Sequence, residues 1–156
     1  MYEYHCKILK VVDGDTVDVD IDLGFGVWLK KERVRVNGID TPESRTRDKE
    51  EKKFGLISKN RVKQLLPVGS TQILKTESDR NGEDKKGKFG RILGDFVFTK
   101  SLGDSGRLID RLSDVLIDEN MAVRYHGQSK DEIAEEHIKN REVLTDRGLV
   151  EWKRIL

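Results

Sequence analysis

Thiols, prolines, aromatic rings and long apolar runs are all scarce in this chain. Cys6 is the single cysteine, so a disulfide within the chain and a zinc site built from several thiolates are both excluded. It stands among apolar residues of an expected strand, where a thiol is a packing group rather than a nucleophile. No apolar run approaches the ~20 residues that a membrane-crossing helix needs. The opening residues, Met1-Tyr2-Glu3-Tyr4, have no secretory-leader pattern and lead almost at once into a strand. An intracellular protein is expected, or a secreted one if a leader once preceded Met1. Aromatic residues make up 6% of the chain, which leaves few platforms for stacking bases. An excess of one charge is missing too: 30 Lys and Arg face 29 Asp and Glu, for a net charge of +1. That balance argues against a polybasic tail that grips nucleic acid by bulk electrostatics, so a polyanion must bind to a local patch. Lys30-Lys31, Lys52-Lys53 and Lys85-Lys86-Lys88 are the candidates, although a solvated surface is the simpler reading for most of them.

The 156 residues fit one domain, 1–156, long enough to close a hydrophobic core. No internal repeat, low-complexity tract or composition break suggests a linker. The first third reads as β. Residues 4–12 are rich in apolar and β-branched types, and Asp13-Gly14 supplies turn chemistry. Over residues 16–23, Val17, Val19 and Ile21 alternate with Asp18, Asp20 and Asp22, which predicts a strand with a wet acidic face. Gly24-Phe25-Gly26 reads as a hairpin tip, and a third strand follows over 28–36. Residues 44–53 read as a charged, mobile loop. Ile57, Val62, Leu65 and Leu66 mark a helix over 54–66 that Pro67 stops. Strands are expected over 71–76 and 89–98. Leu108, Leu112, Val115 and Leu116 mark an amphipathic helix, and a last helix runs over 130–145, with Gly148 close behind. Five short strands with a helix after the third fit an α+β chain: a five-stranded OB-fold barrel with about three helices at its side.

Two stretches carry the chemistry: Asp13-Gly14-Asp15-Thr16 and Arg35-Val36-Asn37-Gly38-Ile39-Asp40-Thr41-Pro42-Glu43. They offer carboxylates that can hold a hard cation through oxygen and a guanidinium that can fork onto two phosphate oxygens. Pro42 holds Thr41 extended, so the backbone is stiff where Asp40 and Glu43 need it. A second arginine follows in Lys88-Phe89-Gly90-Arg91. Taken singly, each piece has a plainer reading. Asp13-Gly14 and Asn37-Gly38 are common turn dipeptides, Asp15 a turn cap, Arg35 a solvent-facing strand residue and Glu43 a surface carboxylate. Their joint occurrence tilts the balance. Asp13 divides evenly between a place behind the metal and a turn-shaping role.

The ordered set, Asp-Gly-Asp-Thr, then the arginine and Asp-Thr-Pro-Glu, then Lys-aromatic-Gly-Arg, resembles the staphylococcal nuclease family over nearly the whole chain. The resemblance extends through residues 54–66 and 113–122. It implies a calcium-dependent nuclease acting on DNA and RNA, with single strands preferred, and leaving 3′-phosphate ends. By the same resemblance Asp15, Asp40 and the carbonyl of Thr41 would hold Ca2+, and Glu43 would be the general base. Arg35 and Arg91 would bind the scissile phosphate, and Lys88 and Tyr125 would touch the substrate. Phe89 stands where the family often has a tyrosine, so the hydroxyl contact to a terminal phosphate is missing. Gly87 replaces an acidic residue, and Tyr125 could equally be ordinary packing.

Other patterns lead nowhere. The acids of 13–22 lack the order of an EF-hand loop. Gly103-Asp104-Ser105-Gly106 fits a turn before a helix better than a protease serine. His5, His126 and His137 have no metal-ligand spacing and read as scattered polar residues. A monomer with no membrane contact is expected. The rival readings are a nucleic-acid-binding OB-fold module without turnover, and a protein-interaction domain without calcium affinity.

Overall fold

The computed structural model describes residues 2–77, 90–101 and 103–153. Five strands close into a barrel: β1 (Glu3–Asp13), β2 (Thr16–Gly24), β3 (Val27–Val36), β5 (Thr71–Thr76) and β6 (Ile92–Ser101). β1 pairs antiparallel with β2 and β5, β2 with β3, and β5 with β6. The ring is completed by a parallel pairing of β3 with β6, in which Val34 faces Ile92 and Arg35 faces Leu93. Register shifts along β1–β2 and β2–β3 supply the local bends that a small closed barrel requires. The architecture is the expected five-stranded OB-type barrel with three helices.

Inward residues of the strands, among them Ile8, Val17, Val19, Val34, Val36, Leu74 and Phe96, fill the barrel completely. α1 (Lys49–Leu65) lays Phe54 and Val62 on one end of that core. α2 (Leu112–Asp118) adds Leu112 and Leu116, and α3 (Lys130–Asp146) adds Leu144. Two short strands, β4 (Ile39–Asp40) and β8 (Val123–Arg124), pair with each other and tie the segment after β3 to the segment after α2.

Several boundaries differ from the sequence reading, each for a local reason. The charged stretch 44–53 is not loop throughout: α1 begins at Lys49, because the Asp48 carboxylate accepts from the N–H groups of Glu50 and Glu51 and caps the helix. Leu108 does not belong to a helix. It lies on β7 (Arg107–Arg111), paired with Lys100 of β6, so Gly103-Asp104-Ser105-Gly106 turns the chain into a strand. The helical spacing of Leu108 with Leu112 is therefore fortuitous, and the helix starts at Leu112. The acids of β2 are not simply wet. Asp18 holds Arg33 through two contacts, at 2.8 and 3.1 Å. Asp20 is buried and accepts from the Lys31 N–H at 2.9 Å. That bond fixes the bulge in which Lys31 takes a φ of 54°. Its carboxyl is held below the ordinary value, first by this N–H.

Candidate functional site

The β1–β2 turn puts Asp15 in the barrel wall, where it is 9% exposed. Both oxygens of its carboxylate have partners. Oδ1 accepts from the Thr16 hydroxyl at 2.9 Å, and Oδ2 accepts from the Thr41 N–H at 3.2 Å. Arg35, at the end of β3, brings Nη2 to 3.4 Å from the same Oδ2. Its Nη1 donates to the Val36 carbonyl at 2.8 Å, which fixes the plane of the guanidinium. The next strand, β4, carries Asp40, whose Oδ1 lies 3.8 Å from Arg35 Nη2. Two carboxylates, one from the β1–β2 turn and one from β4, thus face one cationic nitrogen, and Thr41 is bonded to the first of them and adjoins the second.

Glu43 hangs on a segment clamped from two sides. Asp13 Oδ1 accepts from both the N–H and the hydroxyl of Ser44, the former at 3.1 Å. Asp13 therefore fastens this loop to the β1–β2 turn. On the other side, Gly55 of α1 lets the helix touch the loop backbone directly. A Cβ at Gly55 would sit 2.3 Å from the Glu43 carbonyl oxygen. Gly14 is similarly pressed: a Cβ there would meet the Ser58 Cβ at 2.9 Å and Thr41 Cγ2 at 3.0 Å. Gly55 is needed where two backbones approach closely, and Gly14 where the Ser58 and Thr41 side chains press on the turn.

The electrostatics match that packing. Partial desolvation raises the carboxyl of the otherwise exposed Glu43 above its ordinary value, and the negative charges of Glu51, Asp13, Asp40 and Asp15 push it further in the same direction. A carboxylate so placed is a better base than a free surface one. Beside the turn, burial pushes the Lys59 ammonium below its ordinary value, and the neighbouring cations Lys63 and Arg45 add to this. An acidic centre bordered by a basic flank is the result.

The remaining site candidates are spread around this centre. Arg91 is partly buried and directly precedes Ile92, the residue that faces Val34 in the parallel pairing, so its backbone stands beside the end of β3. Tyr125 follows β8; its N–H donates to the Gly38 carbonyl at 2.9 Å and its side chain is mostly in solvent rather than packed between helix and barrel. Lys88, Phe89 and the Lys85-Lys86 pair lie outside the described residues. Lys53 is engaged by Glu50 at 3.2 Å and by the Glu151 carbonyl, and Lys30 by Asp20 and the Trp28 ring.

One residue at this centre was invisible to the sequence reading. His137, on α3, places Nε2 at 2.8 Å from Asp40 Oδ2. It had read as a scattered polar residue, and no spacing signal could link it to an aspartate on the far side of the chain's length.

Among the described residues, no three His, Cys, Asp or Glu side chains are grouped so as to hold a metal ion by themselves. The donor set does suit an open site for a hard cation, completed by water and phosphate. Asp15 and Asp40 already converge on a positive charge, that of Arg35. Thr41 Oγ1 beside them is buried without a hydrogen-bond partner.

A barrel wall that gathers two aspartates and an arginine, with a tethered glutamate close by, defines an OB-type domain with an acidic, arginine-bearing site. The family model described as Staphylococcal nuclease homologue matches residues 33–144. This chain belongs to that family. The match includes Arg35, Asp40, Thr41, Glu43 and Arg91, whereas Asp15 precedes it. The chain is also similar to the thermonuclease of Staphylococcus intermedius, with 33% identity over 101 residues, covering 64% of this chain. It spans 55% of the length of that curated relative.

Proposed function

We propose that this protein is a calcium-dependent nuclease that hydrolyses phosphodiester bonds of DNA and RNA with low sequence specificity and leaves 3′-phosphate ends. The observation that carries the reading is the convergence of Asp15 and Asp40 on one cationic point, with Glu43 inside the same acidic field. Membership of the nuclease family supports it.

In this reading Asp15, Asp40 and the Thr41 carbonyl hold Ca2+, which when bound neutralises charge on the phosphate. The chain's own groups do the rest. Arg35, preorganised by the Val36 carbonyl, and Arg91 supply guanidinium donors to the phosphate oxygens, on which charge accumulates during displacement. Glu43 accepts a proton from the attacking water. The water oxygen forms its bond to phosphorus while the bond from phosphorus to O5′ breaks, and the 5′ oxygen leaves with a proton from solvent. The phosphate stays on the 3′ side. Lys88 and Tyr125 would contact the strand beyond the scissile phosphate, and a single strand fits an open barrel surface better than a stiff duplex. The protein acts as a monomer.

Digestion of an end-labelled single-stranded oligonucleotide with calcium, with chelator, and with the variant Glu43→Gln tests this directly. Cleavage should require calcium, yield 3′-phosphate ends and fall by roughly 10²–10⁴-fold in the variant. A folded, calcium-supplied protein that binds the oligonucleotide with a salt-dependent affinity but leaves it intact would instead be the nonhydrolytic binding module.

A further inference from the structure

We propose that His137 is a positioning residue for Asp40: it anchors one carboxylate oxygen so that the other is presented to the bound cation. The proposal rests on the reading of Asp40 as a calcium ligand. A carboxylate only accepts hydrogen bonds, so the His137 nitrogen at 2.8 Å from Asp40 Oδ2 must carry the proton and donate it. That contact occupies Oδ2. Oδ1 is the oxygen on the Arg35 side, 3.8 Å from Nη2, the same nitrogen that lies 3.4 Å from Asp15 Oδ2. A ligating carboxylate whose second oxygen is pinned in this way cannot swing, and groups of this type hold metal ligands in the orientation that binds.

The contact is not needed to dock α3. Leu144 enters the core, Asn140 donates to the Ala122 carbonyl and accepts from Asn120, and Arg147 donates to the Glu119 carbonyl. His137 is the position through which the helix reaches the acidic centre instead. Its side chain is 13% exposed. It shares a cavity of about 10 Å³ with Arg141, one helical turn on, and with Pro42. His137 Nδ1 and Arg141 Nε are both buried without a hydrogen-bond partner. Space of that size suits one water, and a water between these two atoms would steady the imidazole from behind. Arg141 is itself held by the rings of Phe54 and Trp152, at 5.2 and 5.7 Å. The pin on Asp40 is thereby backed by packed structure rather than by a free side chain.

The test is calorimetric titration of CaCl2 into the metal-free wild type, His137→Gln and His137→Leu, with thermal melts of each metal-free protein. Glutamine keeps an N–H donor near the place of Nε2, and leucine keeps bulk without a donor. The leucine variant should bind calcium about 10–100-fold more weakly, and the glutamine variant close to wild type. The metal-free melting temperature should move little in either. Should the leucine variant fail to fold, His137→Asn, whose shorter amide falls short of Oδ2, takes its place. Equal calcium affinity in wild type and the donor-less variant overturns the proposal. So does a glutamine variant as weak as the leucine one. If the wild type itself takes up no calcium, the calcium reading of the site falls and this proposal falls with it, whereas the first two outcomes leave that reading standing.

Discussion

Gly55→Ala is the perturbation that the site's geometry predicts most sharply, because the same methyl group should help the helix and harm the chemistry. Alanine in place of glycine inside a helix contributes about 1 kcal/mol by propensity. Here the new Cβ would lie 2.3 Å from the Glu43 carbonyl oxygen, 2.4 Å from its carbon and 2.6 Å from the Ser44 nitrogen. Those are backbone atoms and cannot rotate away. Ordinary contact requires about 1 Å more, so either α1 or the Glu43 segment must retreat by that distance. The segment is the softer partner: Glu43 is exposed, whereas Phe54 and Val62 seat α1 in the core. Overpacking costs about 1–3 kcal/mol, so urea unfolding should register a net change between neutral and about 2 kcal/mol destabilising. A displacement of ~1 Å at a catalytic group costs about 10²-fold in rate, equivalent to about 2.7 kcal/mol of barrier. The assay is calcium-supported cleavage of a labelled oligonucleotide at a temperature where the variant is fully folded. A variant that gains the helix-propensity stability and keeps the wild-type rate would refute the argument that this close approach positions Glu43.

Two further outcomes are expected. Asp95 is buried behind α2 and accepts from the N–H and hydroxyl of Ser113 and from the Phe96 N–H, yet burial outweighs these bonds and raises its carboxyl. The folded state then binds the proton more tightly than the unfolded state, so this group's contribution to stability falls as pH rises from the ordinary carboxylate value through the raised one. Asp95→Asn should remove that component from the pH profile of unfolding, and superimposable profiles would count against it. Ser129 caps α3 reciprocally with Glu132; Ser129→Ala should cost about 1 kcal/mol, read as a melting temperature lower by about 2–4 °C.

Local signals in the sequence account for the barrel and for most of the centre. Alternation along β2, the stop at Pro67 and the turn glycines mark the strands and helices because each depends on neighbours in the chain. Asp15, Arg35, Asp40 and Glu43 were legible as an ordered set of types, and the structure brings both aspartates within 4 Å of Arg35. What depended on the fold was illegible. The Asp48 cap moved the start of α1 because the unbroken charged run of 47–53 conceals a helix turn that faces solvent. Leu108 fell on β7 because strand pairing with Lys100 overrode a chance helical spacing. The part of Gly55 is a matter of two backbones meeting across the site, and that of His137 is a contact between β4 and α3; neither leaves a mark along the chain.

The barrel is closed by a late strand on an early one, β6 lying parallel on β3, and the last long helix then brings His137 to Asp40. A chain still emerging from its ribosome would therefore hold its acidic groups without Arg91, which directly precedes β6, or the histidine pin. On the proposed reading, the means to cut a message is completed only once the ribosome has passed the codons of α3.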